Sequence, residues 1–267
     1  MHVMFSRVAT TCIYLTGMFA FAQEVEQTPY PLPTDAKEAV FIYDERNGFT
    51  PPRQNAAPVL TIRTDGTIEM PTLYGQGRDI TGKFSPQELQ DFLTFVIEKN
   101  KFFEFDEAKV RAEMKEARLK REIPSVADAP DNIFEVRLAD RKHSVRQYAV
   151  GAASQYQEIE ALQQLSAIQR RVNQLKSVTR VGGQKGIATL RKQANAALRK
   201  EYPEIKPFTK SEFSGSYLRE NGTISATFAR VGMNNDGKPN GTYVRAIMEI
   251  PTSDGLPTVV LRVKLKR

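Results

Sequence analysis

The chain has 267 residues, with 38 Lys and Arg against 31 Asp and Glu and a formal charge of +7 at neutral pH. Its one cysteine, Cys12, and His2 lie at the very beginning, leaving His143 as the remaining histidine. Beyond that opening, disulfides, thiol catalysis, thiolate metal sites and a multi-histidine zinc site are excluded. The moderate positive balance suits contact with acidic lipids, wall polymers or polysaccharides, and it is also an ordinary charge for solubility.

Arg7 precedes an uncharged, mainly apolar stretch that ends in Ala20-Phe21-Ala22 and is followed by Gln23. These are the parts of a secretory signal peptide (1–22), with cleavage expected near Ala22. The apolar stretch of about 15 residues falls short of the roughly 20 that a spanning helix needs, and no later segment is long enough. Retention as an anchor is the alternative to cleavage. Cys12 follows Ala9-Thr10-Thr11, which lacks a lipoprotein processing pattern. The expected location is therefore secreted or periplasmic, with no transmembrane segment after cleavage and no nucleic-acid partner.

Residues 23–37 are polar and proline-rich and read as a flexible leader. An N-terminal α+β domain is expected over 38–180. AVFIYDE and VLTIRTDGTIEM are strand-like, and Asp65-Gly66 is a turn signal. Ser85-Pro86-Gln87-Glu88 spells a capped helix start, and Leu89, Phe92, Leu93 and Val96 follow on one face. Phe102, Phe103 and Phe105 read as a core plug. DEAKVRAEMKEARLKRE carries charges at helical spacing and reads as a solvated helix. NIFEVRLA and HSVRQYAV flank Asp140-Arg141-Lys142 as a second hairpin.

Ser154 with Gln157 repeats the capping-box pattern before a long helix whose seam is Ala161, Leu165, Ile168, Val172 and Leu175. After a linker at 181–186, a second seam runs through Ile187, Leu190, Ala194 and Ala197. A packed helix pair is the economical expectation, with self-association as the alternative. The C-terminal domain (187–267) adds four strands. Val244, Ala246, Met248 and Ile250 share one face of the third; Val259, Leu261, Val263 and Leu265 share one face of the fourth. Asn221-Gly222, the Asp236 to Gly241 run and Asp254-Gly255 sit at the corners. The pattern predicts a four-stranded antiparallel meander covered by the helix of residues 187–201.

The order PVLTIRTDGTI, GKFSPQELQDFLTFVIEKNKFFEFD and VADAPDNIFEVRLADRKHSVRQYAV, followed by a helix through QEIEALQQL, resembles a bacterial exported family known as a domain of unknown function. The resemblance covers roughly residues 39–175. It implies an α+β fold and an exported location, and it brings no catalytic residue; this chain lacks the cysteine-bearing start of many members. The last 80 or so residues look like the helix-plus-meander modules of small secreted inhibitory or propeptide-like domains, which transfers no function.

Candidate sites are few. Asp128 and Asp131 offer two carboxylates for general acid and base roles in hydrolysis, although acids in such loops usually cap turns. His143 reads as an exposed strand residue. Val181 to Gly186 offers free donors and a lysine ahead of a helix, without P-loop spacing. Asn234 to Gly241 resembles a calcium loop, but no register places oxygen donors, glycine and a closing acid together, so no metal is expected. Arg245, Arg262, Lys264 and Lys266 form a basic stripe that suits a polyanion or an acidic lipid surface, or that simply keeps an edge strand soluble. The reading is an exported, non-catalytic binding or structural module engaging an anionic envelope component, with no cofactor. The alternative is a carboxylate-dependent hydrolase built on the 128–131 loop.

Overall fold

The computed structural model describes residues 30–46, 48, 57–71, 79–124, 126–233, 239–251 and 257–265. The Asp65-Gly66 corner joins β2 (Leu60–Arg63) to β3 (Thr67–Met70). Gly66 takes φ +81°, and the Asp65 carboxylate accepts from the Thr67 N–H at 2.8 Å. That left-handed turn is one glycine adopts without a Cβ penalty. With β1 (Ala39–Arg46), β4 (Ile80–Lys83), β5 (Asp131–Arg137) and β6 (Lys142–Tyr148), these strands form a six-stranded antiparallel sheet ordered β4-β3-β2-β1-β5-β6. The short β4 alternates between half-buried and exposed positions, and Gly82 takes one of the half-buried ones. A Cβ there would lie 2.8 Å from the Thr179 side chain, so the strand gives up a side chain to let a helix approach.

Ser85 opens α1 (Pro86–Thr94) with the predicted reciprocal cap, the Ser85 N–H donating to Glu88 at 2.8 Å and the Glu88 N–H to Ser85 Oγ at 3.3 Å. Leu89, Phe92 and Leu93 are buried, and Phe92 meets Phe41 of β1 edge-to-face at 5.0 Å. The helix widens into a π turn over Phe95–Lys99. α2 (Glu107–Lys120) buries only Val110 and Ala117, which agrees with its charge-rich sequence. Residues 30–37 have no regular element, yet they are docked. The Tyr30 N–H donates to Gln90 at 2.8 Å, Leu32 packs on the core, and Pro31 accepts from the Ala139 N–H at 2.9 Å.

The expected cap at Ser154 does not form. Val150–Gln155 is a 3-10 segment, and α3 (Glu160–Arg180) begins after Ile159 with no side-chain cap. The helix pair is present, with α4 (Gly183–Glu201) following directly, but its two seams enter different cores. Leu162, Leu165, Ile168 and Val172 pack with the six-stranded sheet. Ile187, Leu190, Ala194 and Leu198 pack with a second sheet made of β7 (Phe213–Leu218), β8 (Ile224–Met233), β9 (Pro239–Ile250) and β10 (Thr258–Lys264). That sheet is the predicted antiparallel meander, ordered β10-β9-β8-β7. The end of α3 ties the halves together: Ser216 Oγ donates to the Ser177 carbonyl at 2.8 Å, and Ser177 Oγ returns the bond to the Ser216 carbonyl at 3.2 Å.

Candidate functional site

Period two divides the second sheet cleanly. Val244, Ala246 and Met248 of β9 and Ala226 and Phe228 of β8 are buried with α4. Their neighbours Tyr243, Arg245, Ile247 and Glu249 therefore point outward. Register aligns this outer face into rows. Arg245 lies directly opposite Arg262, Tyr243 opposite both Lys264 and Val231, and Ile247 opposite Val260. Among the described residues no carboxylate pairs with Arg245, Arg262 or Lys264. Like charges placed opposite each other on a sheet are unfavourable on their own.

The basic residues are not alone on this face. Val231 is 49% exposed, Val260 46% and Tyr243 39%, all at outward positions; Met233, past a register shift at the end of β8, is 59% exposed. The basic stripe thus sits among large apolar groups, which a reading of charge alone overlooks. At the far end the face closes itself. Arg219 pairs with Glu249 at 2.7 Å and covers the Tyr217 ring, while Ser225 lies fully buried beneath with no partner for its Oγ. Lys266 and the 234–238 part of the calcium-like loop lie outside the described residues.

The two candidate acids are not brought into one cleft. Asp128 is exposed at φ +56°, in a loop held by Tyr148, whose hydroxyl donates to the Val126 carbonyl at 2.8 Å. Asp131 pairs with Arg146 at 2.6 Å. A cavity of about 480 Å³ beside it is lined by Asp131 but not by Asp128. Its second acid, Glu107, accepts the Arg146 backbone N–H at 2.6 Å. Both carboxylates are engaged by one arginine, and Arg111, Lys115 and Arg118 line the same cavity. Asp131 and Glu107 thus face a cavity whose other charged lining groups are basic.

His143 is not the exposed strand residue expected. It is half-buried, with its ring 5.4 Å from Phe102 and 6.0 Å from Phe103, and its Nε2 is shielded without a partner. The Val181 to Gly186 segment holds no free linker, since α4 starts at Gly183. A cavity of about 440 Å³ lies before it, lined by Lys83 and Arg171 but also by Glu88 and Asp91. That balance of charge gives no preference for an anion.

One buried polar cluster has no counterpart in the sequence reading. The Tyr43 hydroxyl donates to Glu45 at 2.6 Å and lies 2.9 Å from Asn132 Oδ1, while Gln169 of α3 donates to Asn132 at 2.6 Å. Burial first, then the Glu45 charge, pushes the Tyr43 phenol far above its ordinary value. Burial also lowers the Arg180 guanidinium. The cluster joins β1 and β5 to α3.

Among the described residues no group of three or more His, Cys, Asp or Glu is placed to hold a metal, and no helix is long and apolar enough to cross a membrane. No protein-family model, curated protein or solved structure matches the chain.

Proposed function

We propose that this chain is an exported, non-catalytic binding module that engages an anionic envelope component through the outer face of its C-terminal sheet. The observation that carries the reading is the Arg245–Arg262 juxtaposition, with Lys264 beside it and no carboxylate among the described residues to neutralise the group. Two guanidiniums held opposite each other present converging donors to phosphate, sulfate or carboxylate groups. The export half of the proposal rests on the Arg7 to Ala22 pattern and the resemblance described above.

Retention on dextran sulfate tests it. Arg245→Glu with Arg262→Glu is expected to elute at clearly lower salt than the parent. Lys192→Glu with Lys200→Glu, on exposed positions of α4, changes the net charge equally and serves as the comparison. Equal elution of the two double variants would overturn the reading, because overall charge would then explain retention.

A further inference from the structure

We infer a second site, independent of the C-terminal sheet. The cavity of about 480 Å³ between α2 and β6 takes a small organic phosphate monoester, its phosphate on the bases of α2 and its apolar body against Met114 and Tyr148. β6 stands last in the strand order, so among the described residues one of its sides meets no other strand. α2 approaches there, where Glu107 accepts the Arg146 N–H at 2.6 Å.

The face that α2 turns to this cavity is basic. Val110 and Ala117 enter the core, while Arg111, Met114, Lys115 and Arg118 follow at helical spacing on the adjoining face. Arg111 and Lys115 stand four residues apart and Lys115 and Arg118 three, spacings at which like charges weaken a helix. Two cations farther along, outside the cavity, are matched: Lys120 with Glu116 at 2.5 Å and Arg121 with Glu158 at 2.8 Å. Among the described residues no carboxylate pairs with Arg111, Lys115 or Arg118. With Arg146, four bases face two acids across the cavity, an excess of two positive charges. A phosphate monoester near neutral pH carries close to that charge with the opposite sign, and a carboxylate carries half of it.

Part of the lining is fixed in advance. The Arg118 Nε donates to the buried Tyr156 hydroxyl at 2.7 Å, which leaves its terminal nitrogens for an anion, and Asp131 holds Arg146 at 2.6 Å. Tyr148 is 40% exposed, yet its hydroxyl is pinned between the Val126 carbonyl at 2.8 Å and the Ala129 N–H at 3.2 Å. Groups held in place beforehand lose less freedom when a ligand arrives. The volume lies within the roughly 300–1,000 Å³ of pockets that hold small organic molecules. A bare inorganic anion satisfies the bases but leaves Met114 and Tyr148 facing water.

Isothermal titration of the full chain with 1-naphthyl phosphate, 1-naphthoate and inorganic phosphate tests the assignment. The phosphate ester is expected to bind at least about tenfold more tightly than inorganic phosphate, through the apolar area that its ring buries. It is also expected to bind more tightly than 1-naphthoate. Arg111→Ala with Lys115→Ala is expected to weaken the ester at least about tenfold. Lys109→Ala with Lys120→Ala removes equal charge from exposed positions of the same helix outside the cavity, and Arg245→Glu with Arg262→Glu alters the other face; both are expected to leave the ester's affinity within about twofold. Met114→Gln is expected to weaken the ester and leave inorganic phosphate unchanged. Unaltered melting temperatures establish that each variant is folded.

Equal affinity for the ester and inorganic phosphate would overturn the apolar contact, and equal affinity for the ester and 1-naphthoate would overturn the choice of phosphate. Equal losses in the two α2 double variants would overturn the site, because helix charge alone would then explain binding. Ester binding lost with Arg245 and Arg262 but kept without Arg111 and Lys115 would also overturn this site, while leaving the reading of the C-terminal sheet standing.

Discussion

The two sheets are built alike and finished differently. Each is antiparallel and buries one face under helices. On the outward face of the six-stranded sheet the charges are matched: Arg63 with Glu69 at 2.6 Å, Arg46 with Asp44 at 2.8 Å, Lys142 with Glu135 at 3.2 Å and Arg146 with Asp131 at 2.6 Å. On the outward face of the four-stranded sheet, Arg245, Arg262 and Lys264 have no carboxylate partner among the described residues, and large apolar side chains stand among them. Surface ion pairs add little stability singly, but a matched face is electrostatically complete. An unmatched one leaves its cations to water and counterions. The difference directs attention to the C-terminal sheet and away from the acids of the first domain.

The comparison presupposes that each sheet has a real core on its other side. Phe228 is fully buried beside Phe208 and, within the second sheet, Phe213 and Ala246. Phe228→Ala is expected to cost about 3–5 kcal/mol of unfolding free energy, measured by urea titration. A cost under about 1 kcal/mol would break the picture of a sheet with one buried and one open face.

A smaller, pH-dependent effect belongs to Glu212, which lies beside β7 and accepts from Arg230 at 3.0 Å through Nη2 and also through Nε. Arg230 first, helped by the Thr209 N–H, holds the Glu212 carboxyl at about 2 instead of the ordinary 4.5. A folded value below the unfolded one means the contribution is fully present above about pH 4.5 and is lost as pH falls toward 2. Glu212→Gln is expected to flatten the acid limb of the stability profile over that window, measured by thermal melts across pH. An unchanged profile would show that this ion pair does not fasten the sheet's edge.

The smallest effects bear on the comparison most directly. Arg262→Glu converts a like-charge pair opposite Arg245 into an opposite-charge pair and is expected to raise stability by about 0.2–1 kcal/mol. Glu135→Gln removes the partner of Arg137 and Lys142 on the other sheet and is expected to lower stability by up to about 1 kcal/mol. Opposite signs sharpen the contrast between the two faces. The same sign in both would erase it.

Local chemistry was legible wherever one segment sufficed. The Ser85 to Glu88 cap, the Asp65-Gly66 corner and the alternation in β9 each depend on residues a few positions apart, and each appears where the sequence places it. The Ser154 cap failed although its spacing was equally good, because the chain there closes a 3-10 segment that buries Val150 and Ala153. β4 was missed because Gly82 answers to Thr179, a residue far along the chain. Of the outward face of the second sheet, the cations were legible as a stripe. Their meeting across strands and their apolar neighbours were not, since both depend on the register of β8, β9 and β10.

By itself the sequence determined the α+β class, the meander and the helix that covers it, because period and turn chemistry are properties of short segments. Tertiary structure decided which core each helix seam enters, which acids are neutralised by arginine and which arginines face each other. Those outcomes turn on pairing between distant segments, where a shift of one residue would move every side chain of a strand to the opposite face.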